Sequence, residues 1–169
     1  MTIILETQRL ILREVTLADA AFLHALLTDP DFRANIGHRG VDTVDDAVRA
    51  IAGRYQAAYR THGFGMWVVE AAGTPVGMAG LVRREGLDDV DLGYAFLPEA
   101  RGKGFAREAA AGVLAWAARR GIAPVVAIVS PANAGSIRIL EALGLAADRL
   151  IRLPHSDHDV MLYRSRDHA

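Results

Sequence analysis

The sequence contains no cysteine, so disulfides, thiol nucleophiles and thiolate metal ligands are excluded. This absence fits a reducing compartment, and we expect a cytoplasmic protein. No apolar run is long enough to span a membrane. Met1–Leu5 is also too short for a secretory leader, because Glu6 and Arg9 follow it closely. We therefore expect no membrane partner.

The sequence also lacks an excess of charge of either sign, since its formal net charge is −1. A nucleic-acid-binding protein would need a basic surplus, so we expect no nucleic-acid partner. No internal repeat, low-complexity tract or linker divides the 169 residues, so we expect one domain over residues 1–169.

Apolar periodicity predicts a mixed α/β fold with a mostly antiparallel sheet. Helices are predicted over residues 17–27, 44–62, 105–119 and 133–143. Strands are predicted over residues 10–14, 63–71, 74–84, 89–97, 124–129, 146–153 and 159–163. The segment 90–129 alone has the strand–helix–strand order of a parallel pair.

A glycine-rich turn, Arg101-Gly102-Lys103-Gly104, lies where a predicted strand meets a predicted helix. Glycines allow backbone N–H groups to converge on one ligand, and a helix N-terminus adds unpaired donors and partial positive charge. The turn is therefore typical of a phosphate-binding loop, although a simple helix start remains possible from the loop alone.

Two familiar phosphate loops fit poorly. A magnesium-dependent P-loop needs Ser or Thr after Gly-Lys, whereas Gly104 follows Lys103 here. A dinucleotide-binding turn needs a third glycine, and Arg107 occupies that position. A nucleotide or dinucleotide ligand therefore remains only a minor alternative.

Arg101-x-x-Gly104-x-Ala106 resembles the acetyl-CoA loop of the GNAT superfamily of N-acetyltransferases. Three further segments, 7–14, Leu92-Gly93-Tyr94 and 133–145, resemble the ribosomal-protein N-terminal (alanine/serine) acetyltransferase branch, in family order and spacing. The resemblance covers nearly the whole chain. It implies a GNAT-like sheet of six to seven strands, splayed between the fourth and fifth strands and flanked by about four helices.

The resemblance further implies transfer of an acetyl group from acetyl-CoA to a primary amine by direct attack in a ternary complex. Phe96 and Leu97 would offer backbone groups to the pantetheine arm, with an N–H near Leu97 binding the oxyanion. The pyrophosphate would bind the turn and the start of the helix, at Arg101, Gly102, Lys103, Gly104, Phe105 and Ala106.

Asp91 is the candidate general base, because the branch often carries an acidic residue two positions before Gly-Tyr. Glu70, Glu85 and a water relay are weaker alternatives, and Asp91 could equally be a solvated strand residue. Many family members use a tyrosine to protonate the leaving thiolate, but Leu140 stands at that position. We assign this role to Ser136 with Asn133 beside it, and both are also candidate cofactor contacts. Asn133 could equally be a helix N-cap.

A protein without turnover that only binds CoA remains the main alternative function. The acceptor, a protein N-terminus or a small molecule, is expected to lie between the Asp31–Asp42 loop and the turn near His155. We expect no metal site in the histidine-rich turn 155–159, and ion pairs from Arg9 and Arg13. Exposed sheet edges are compatible with a homodimer.

Overall fold

The computed structural model describes residues 1–166 of the chain. Its centre is one sheet with the strand order β1-β2-β3-β4-β5-β6-β8-β7. Every neighbouring pair is antiparallel except β5 and β6, which are parallel. The strands are β1 (Ile3–Glu6), β2 (Leu10–Arg13), β3 (Met66–Ala71), β4 (Thr74–Val82), β5 (Val90–Phe96), β6 (Val125–Val129), β7 (Leu145–Ile151) and β8 (Val160–Ser165).

Helices cover both faces of the sheet. They are α1 (Ala20–Thr28), α2 (Pro30–Asn35), α3 (Val44–Ala50), α4 (Gln56–His62), α5 (Phe105–Arg119) and α6 (Ala134–Ala142). A π-helical segment, Ile51–Tyr55, joins α3 to α4, so the two run on as one helix. No helix within residues 1–166 is long and apolar enough to cross a bilayer. The mixed α/β class and the open, mostly antiparallel sheet predicted from the sequence are confirmed.

The sheet has one strand more than the predicted six to seven, because β1 forms an additional edge. This strand is only four residues long and lacks a regular apolar–polar alternation. A second difference is α2, which lies in a segment predicted as a polar loop. Asp29 caps α2 by accepting from the N–H of Phe32, and Pro30 stands at its first position.

Two apolar clusters fill the space between the sheet and its helices. On one face α5 and α6 pack on the sheet, where Trp116 meets Trp67 edge-on with ring centroids 4.9 Å apart. On the other face α1 to α4 pack through residues such as Leu23 and Ile51. The central strands are therefore covered on both sides, and any opening between them connects the two layers.

Arg13 makes the structural ion pairs predicted for it, one with buried Asp19 and one with half-buried Glu70. Its two terminal nitrogens each donate to one carboxylate oxygen of Asp19 at 2.8 Å. Its Nε donates to Glu70 at 2.7 Å. These bonds connect β2 to β3 and to the turn that precedes α1.

Candidate functional site

Strands β5 and β6 separate almost as soon as they meet. They pair only at Val90 with Val125 and at Asp91 with Val126. Beyond this fork a cavity of about 1510 Å³ is lined from both faces of the sheet, by Met78 among others on one side and by Phe105 on the other. Ordinary small-molecule pockets measure roughly 300–1,000 Å³, so this cavity has room for a large ligand and a second molecule.

The register of β5 decides which backbone groups face the gap. The N–H of Leu97 donates to the carbonyl of Val76 at 2.9 Å, so Leu97 is bonded to the β4 side. Alternate residues of an antiparallel pair point their polar groups to opposite sides. Tyr94 and Phe96 therefore direct N–H and C=O groups into the gap. The N–H of Leu97 is therefore already used, and of the two predicted residues Phe96 is the one whose N–H faces the gap.

The glycine-rich turn forms a concave set of unused donors. Gly102 and Gly104 adopt left-handed φ angles of +75° and +79°, and Gly104 is the N-cap residue of α5. Within residues 1–166, no backbone carbonyl accepts from the N–H groups of Gly102 to Ala106. Successive free N–H groups at a helix N-terminus make an anion-binding site.

Arg9 holds this turn from behind. Its guanidinium donates to the carbonyl of Lys103 at 2.8 Å and to Glu108 at 2.6 Å, and it stacks on Phe105 with 4.8 Å to the ring centroid. The side chain of Lys103 is exposed. The carbonyl of Lys103 therefore points away from the donor set, which leaves the N–H groups facing a ligand.

Arg101 is engaged in contacts within the protein. Its two terminal nitrogens donate to Asp29 at 2.7 Å and Asp31 at 2.8 Å, while Nε donates to the carbonyl of Phe96 at 3.1 Å. Its N–H also donates to the carbonyl of Pro98. Arg101 therefore fixes α2 against the end of β5, and the backbone donors available to a phosphate begin at Gly102 rather than at Arg101.

Asp91 lies at the fork and is only 1% exposed. Its Oδ2 accepts from Nε of Arg84 at 2.8 Å, whereas its buried Oδ1 has no hydrogen-bond partner within residues 1–166. Burial raises the pKa of Asp91 to about 6, because Arg84 offsets only part of the desolvation. At neutral pH this carboxylate is mostly ionised and can accept a proton through Oδ1.

Ser136 faces the same cavity from α6. Its Oγ lies 2.7 Å from the hydroxyl of Tyr94, and its N–H donates to the side chain of Asn133 at 3.2 Å. Asn133 is thus the N-cap of α6, as the alternative interpretation predicted. Leu140 is 1% exposed and apolar, so it offers no proton to the gap. Burial raises the pKa of Tyr94, which keeps its hydroxyl protonated.

The two hydroxyls and the carboxylate lie on opposite faces of the sheet. Phe96 packs with the α5–α6 cluster and Ala95 with the α1–α4 cluster, so alternation puts Tyr94 on the first face and Asp91 on the second. A molecule passing through the gap would meet a proton acceptor on one side and a proton donor on the other.

The two weaker candidates for the general base are less well placed than Asp91. Glu70 accepts from Arg13 in the buried ion-pair network and does not line the cavity. Glu85 is at the cavity rim with its side chain 76% exposed. In the turn near His155, His158 contacts Asp157 at 3.0 Å. No group of three or more His, Asp or Glu residues within 1–166 could hold a metal ion.

Sequence reasoning named Tyr94 only as part of a motif. It did not identify Arg84, which binds Asp91, or Arg39, which lines the same cavity. The alternation of β5 could have placed Tyr94 opposite Asp91, because the two are three positions apart. No comparable signal exists for Arg39, which lies in an irregular loop and reaches the cavity only through tertiary packing.

Comparison with known proteins agrees with this geometry. Residues 9–146 match the family described as "Acetyltransferase (GNAT) domain". The N-acetyltransferase YoaA of Bacillus subtilis, itself named as uncharacterized, is 26% identical over 155 residues, covering 88% of this chain and 86% of YoaA. The crystal structure of an acetyltransferase from Agrobacterium tumefaciens is 25% identical with a TM-score of 0.81, covering 98% of this chain and 95% of that one.

The fold also extends to the ribosomal-protein branch. An acetyltransferase from Salmonella typhimurium, described as modifying the N-terminal serine of ribosomal protein L7/L12, has a TM-score of 0.79 at 17% identity. The match covers 96% of this chain and 97% of that one. At this identity the likeness concerns the fold.

Proposed function

This chain belongs to the GNAT acetyltransferase family, and from that premise we propose that it moves the acetyl group of acetyl-CoA directly to a primary amine within a ternary complex. The family implies acetyl-CoA as the donor. The observation that carries the proposal is the continuous path from the free N–H groups at Gly102–Ala106, along the open side of β5, to the carboxylate of Asp91.

The glycine turn and the open strand would hold the donor. The N–H groups of Gly102 to Ala106 would bind the pyrophosphate, and the side chain of Arg107 lines the same cavity. The pantetheine arm would extend the sheet as an added strand and bond to Tyr94 and Phe96. Asn133 and Ser136, at the start of α6, would contact the same arm.

Asp91 would be the general base. Amines have pKa values of about 8 or higher and are mostly protonated at neutral pH, so a proton must leave before attack. Oδ1 of Asp91 would accept that proton, directly or through one water, while Arg84 keeps the carboxylate oriented. The neutral amine then attacks the thioester carbonyl.

Phe96 and Ser136 would complete the reaction. The N–H of Phe96 faces the gap and would donate to the oxyanion that forms at the carbonyl carbon. The C–S bond then breaks while the attacking nitrogen loses its second proton to water in the open cavity. The Ser136 hydroxyl would give its proton to the departing sulfur and regain one from Tyr94, which is in turn reprotonated from solvent. This pair would replace the tyrosine that is missing at Leu140.

Two classes of amine are candidate acceptors. The Salmonella relative acts on a protein N-terminus, which makes an α-amine one candidate acceptor. A small-molecule amine is the other. A second candidate function is a CoA-binding protein with little turnover. It is favoured by Leu140, which stands where many family members carry the tyrosine that donates a proton.

Calorimetric titration with acetyl-CoA, with NAD and ATP as controls, tests the donor. Release of CoA in the presence of peptide N-termini and small primary amines tests the transfer. We expect selective binding of acetyl-CoA and amine-dependent release of CoA. Selective binding without release by any amine would favour the CoA-binding alternative, and no binding at all would contradict the whole proposal.

A further inference from the structure

Three arginines line the cavity around Asp91 on the α1–α4 side, namely Arg39, Arg54 and Arg84. Arg39 lies in the loop before α3, Arg54 in the π-helical segment, and Arg84 follows β4. Nη2 of Arg54 donates to the carbonyl of Arg39 at 2.9 Å, which ties the loop to the helix. The three positive charges therefore converge from three different elements.

The three arginines are not fully balanced by nearby carboxylates. Arg84 is paired with Asp91, so these two charges cancel. Within residues 1–166, Arg39 and Arg54 have no salt bridge. Besides Asp91, the acidic side chains that line the cavity are highly exposed: Glu85 at 76%, Asp157 at 100%, and Asp31 at 71%, which is paired with Arg101. The inner part of this side is therefore positively charged.

Arg39 is the unusual member of the set. Among the arginines of residues 1–166 that lack a salt bridge, it is the one that is not exposed. Burial lowers the pKa of Arg39, and the charges of Arg84 and Arg54 lower it further against a weaker opposing effect of Asp91. A partly desolvated cation held beside like charges is unfavourable unless an anion completes the site.

We propose that the acceptor is an amine that also carries a carboxylate, and that Arg39 binds this carboxylate while Asp91 receives the amine. The inference rests on the proposed function and names its substrate class. A guanidinium presents two parallel N–H groups that match a carboxylate, so Arg39 is suited to bidentate binding. The same chemistry is found in a free amino acid and in a peptide with an acidic side chain near its N-terminus.

Matched acceptors test the preference in the wild-type enzyme. Free amino acids are compared with their amides, and peptides with Asp or Glu at the second position with the Asn or Gln equivalents. We expect the carboxylate member of each pair to give the higher kcat/KM in CoA release. The pair with the larger difference identifies the source, and equal rates within both pairs would overturn the proposal.

Variants test the residue. Arg39→Ala should raise KM for the carboxylate acceptor roughly ten- to a hundredfold, as expected for a lost charged hydrogen bond, and should leave the amide and the Kd for acetyl-CoA nearly unchanged. Arg39→Lys should be intermediate. The matched control is Arg60→Ala, which removes an exposed arginine outside this cavity. Equal effects on acid and amide would contradict the assignment.

Product binding separates failure of this inference from failure of the proposed function. N-acetyl amino acids and their amides are titrated into the protein with CoA present. Binding of the acid that Arg39→Ala weakens would support the anion site even without turnover. Turnover of neutral amines with no acid preference would retain the proposed function and overturn the inference.

Discussion

At the level of single residues, Asp91 combines three features that seldom occur together in a structural carboxylate. It is buried, only one of its oxygens is bonded, and its pKa is raised to about 6. Strongly perturbed carboxylates in clefts are typical of catalytic sites. The sequence placed an acid at this position, but its burial and its pairing with Arg84 depend on tertiary structure.

The pH dependence of turnover tests the role of Asp91. With saturating acetyl-CoA, kcat/KM for the acceptor should fall about tenfold per pH unit below about pH 6, because the base becomes protonated. Asp91→Asn should be about a hundredfold slower at pH 7 and lack this limb. A variant that keeps the wild-type profile would contradict the assignment.

The pH dependence of folding stability is an independent test of the raised pKa of Asp91. The pKa of Asp91 rises from its ordinary 3.8 to about 6 on folding, so the folded state binds the proton more tightly. Wild-type stability should therefore fall, relative to Asp91→Asn, as pH rises from about 4 to about 6. Urea unfolding of both proteins across this range measures the difference, and a constant difference would contradict the raised pKa.

A further prediction for single residues concerns the Ser136–Tyr94 pair. Ser136→Ala should lower kcat about a hundredfold, because the leaving sulfur loses its proton donor, and should leave the Kd for acetyl-CoA within about twofold. Adding Tyr94→Phe should cost little more, since both act on one proton. Ser165→Ala, outside the cavity, is the control. Fully additive losses of kcat would contradict a shared role of the two hydroxyls in one proton transfer.

Among the elements, α5 carries the most direct link from sequence to site. The sequence predicts this helix over residues 105–119, and the structure has it at Phe105–Arg119. A glycine with left-handed φ stands near each end, Gly104 at +79° and Gly121 at +70°. Gly104 lines the cavity and Gly121 does not. The same substitution at both positions therefore distinguishes an effect on ligand binding from an effect of backbone strain.

Gly104→Glu should abolish acetyl-CoA binding. A Cβ at this position would lie 3.3 Å from Nη2 of Arg9, and the new carboxylate would repel the pyrophosphate. Gly121→Glu adds the same charge and the same strain at the other end of α5, where nothing lies within 4 Å of the new Cβ. It should bind acetyl-CoA normally. Equal affinities in calorimetry would reject the turn as the phosphate site.

Elements with strong local signals were predictable and those defined by tertiary contacts were not. The strands predicted over 63–71 and 74–84 are observed as the antiparallel pair β3 and β4, and the helix predicted over 44–62 is observed as α3, the π-helical segment and α4. The edge strand β1 and the π-helical segment depend on neighbours rather than on local pattern. The loop residue Arg39 reaches the cavity for the same reason.

For the whole molecule, the fork between β5 and β6 would let the proposed catalytic groups act from two layers. The two core clusters are held together across the sheet, while the gap stays open beyond Asp91. Such an arrangement needs rigid attachment between the sheet and the α1–α4 layer. Arg13, which does not line the cavity, supplies one such attachment through Asp19 and Glu70.

Arg13→Ala should destabilise the protein by about 3–5 kcal/mol, because the buried carboxylate of Asp19 and the half-buried carboxylate of Glu70 would lose their partner. Burial opposes the charged form of Asp19, but its bonds to Arg13 prevail and lower its pKa. The wild-type advantage should therefore shrink as pH falls below the ordinary 3.8. Urea unfolding measures both effects, with the exposed Arg60→Ala as a control expected within about 0.5 kcal/mol of wild type.

The same variant tests whether stability and binding are separate in this fold. Arg13 does not line the cavity, so folded Arg13→Ala should bind acetyl-CoA with nearly unchanged affinity at temperatures well below its melting point. Adding Asp19→Asn and Glu70→Gln to Arg13→Ala should recover part of the lost stability, because no unpaired charge then remains at this position. A fully stable protein that loses affinity would instead mean that the ion pairs set the geometry of the fork.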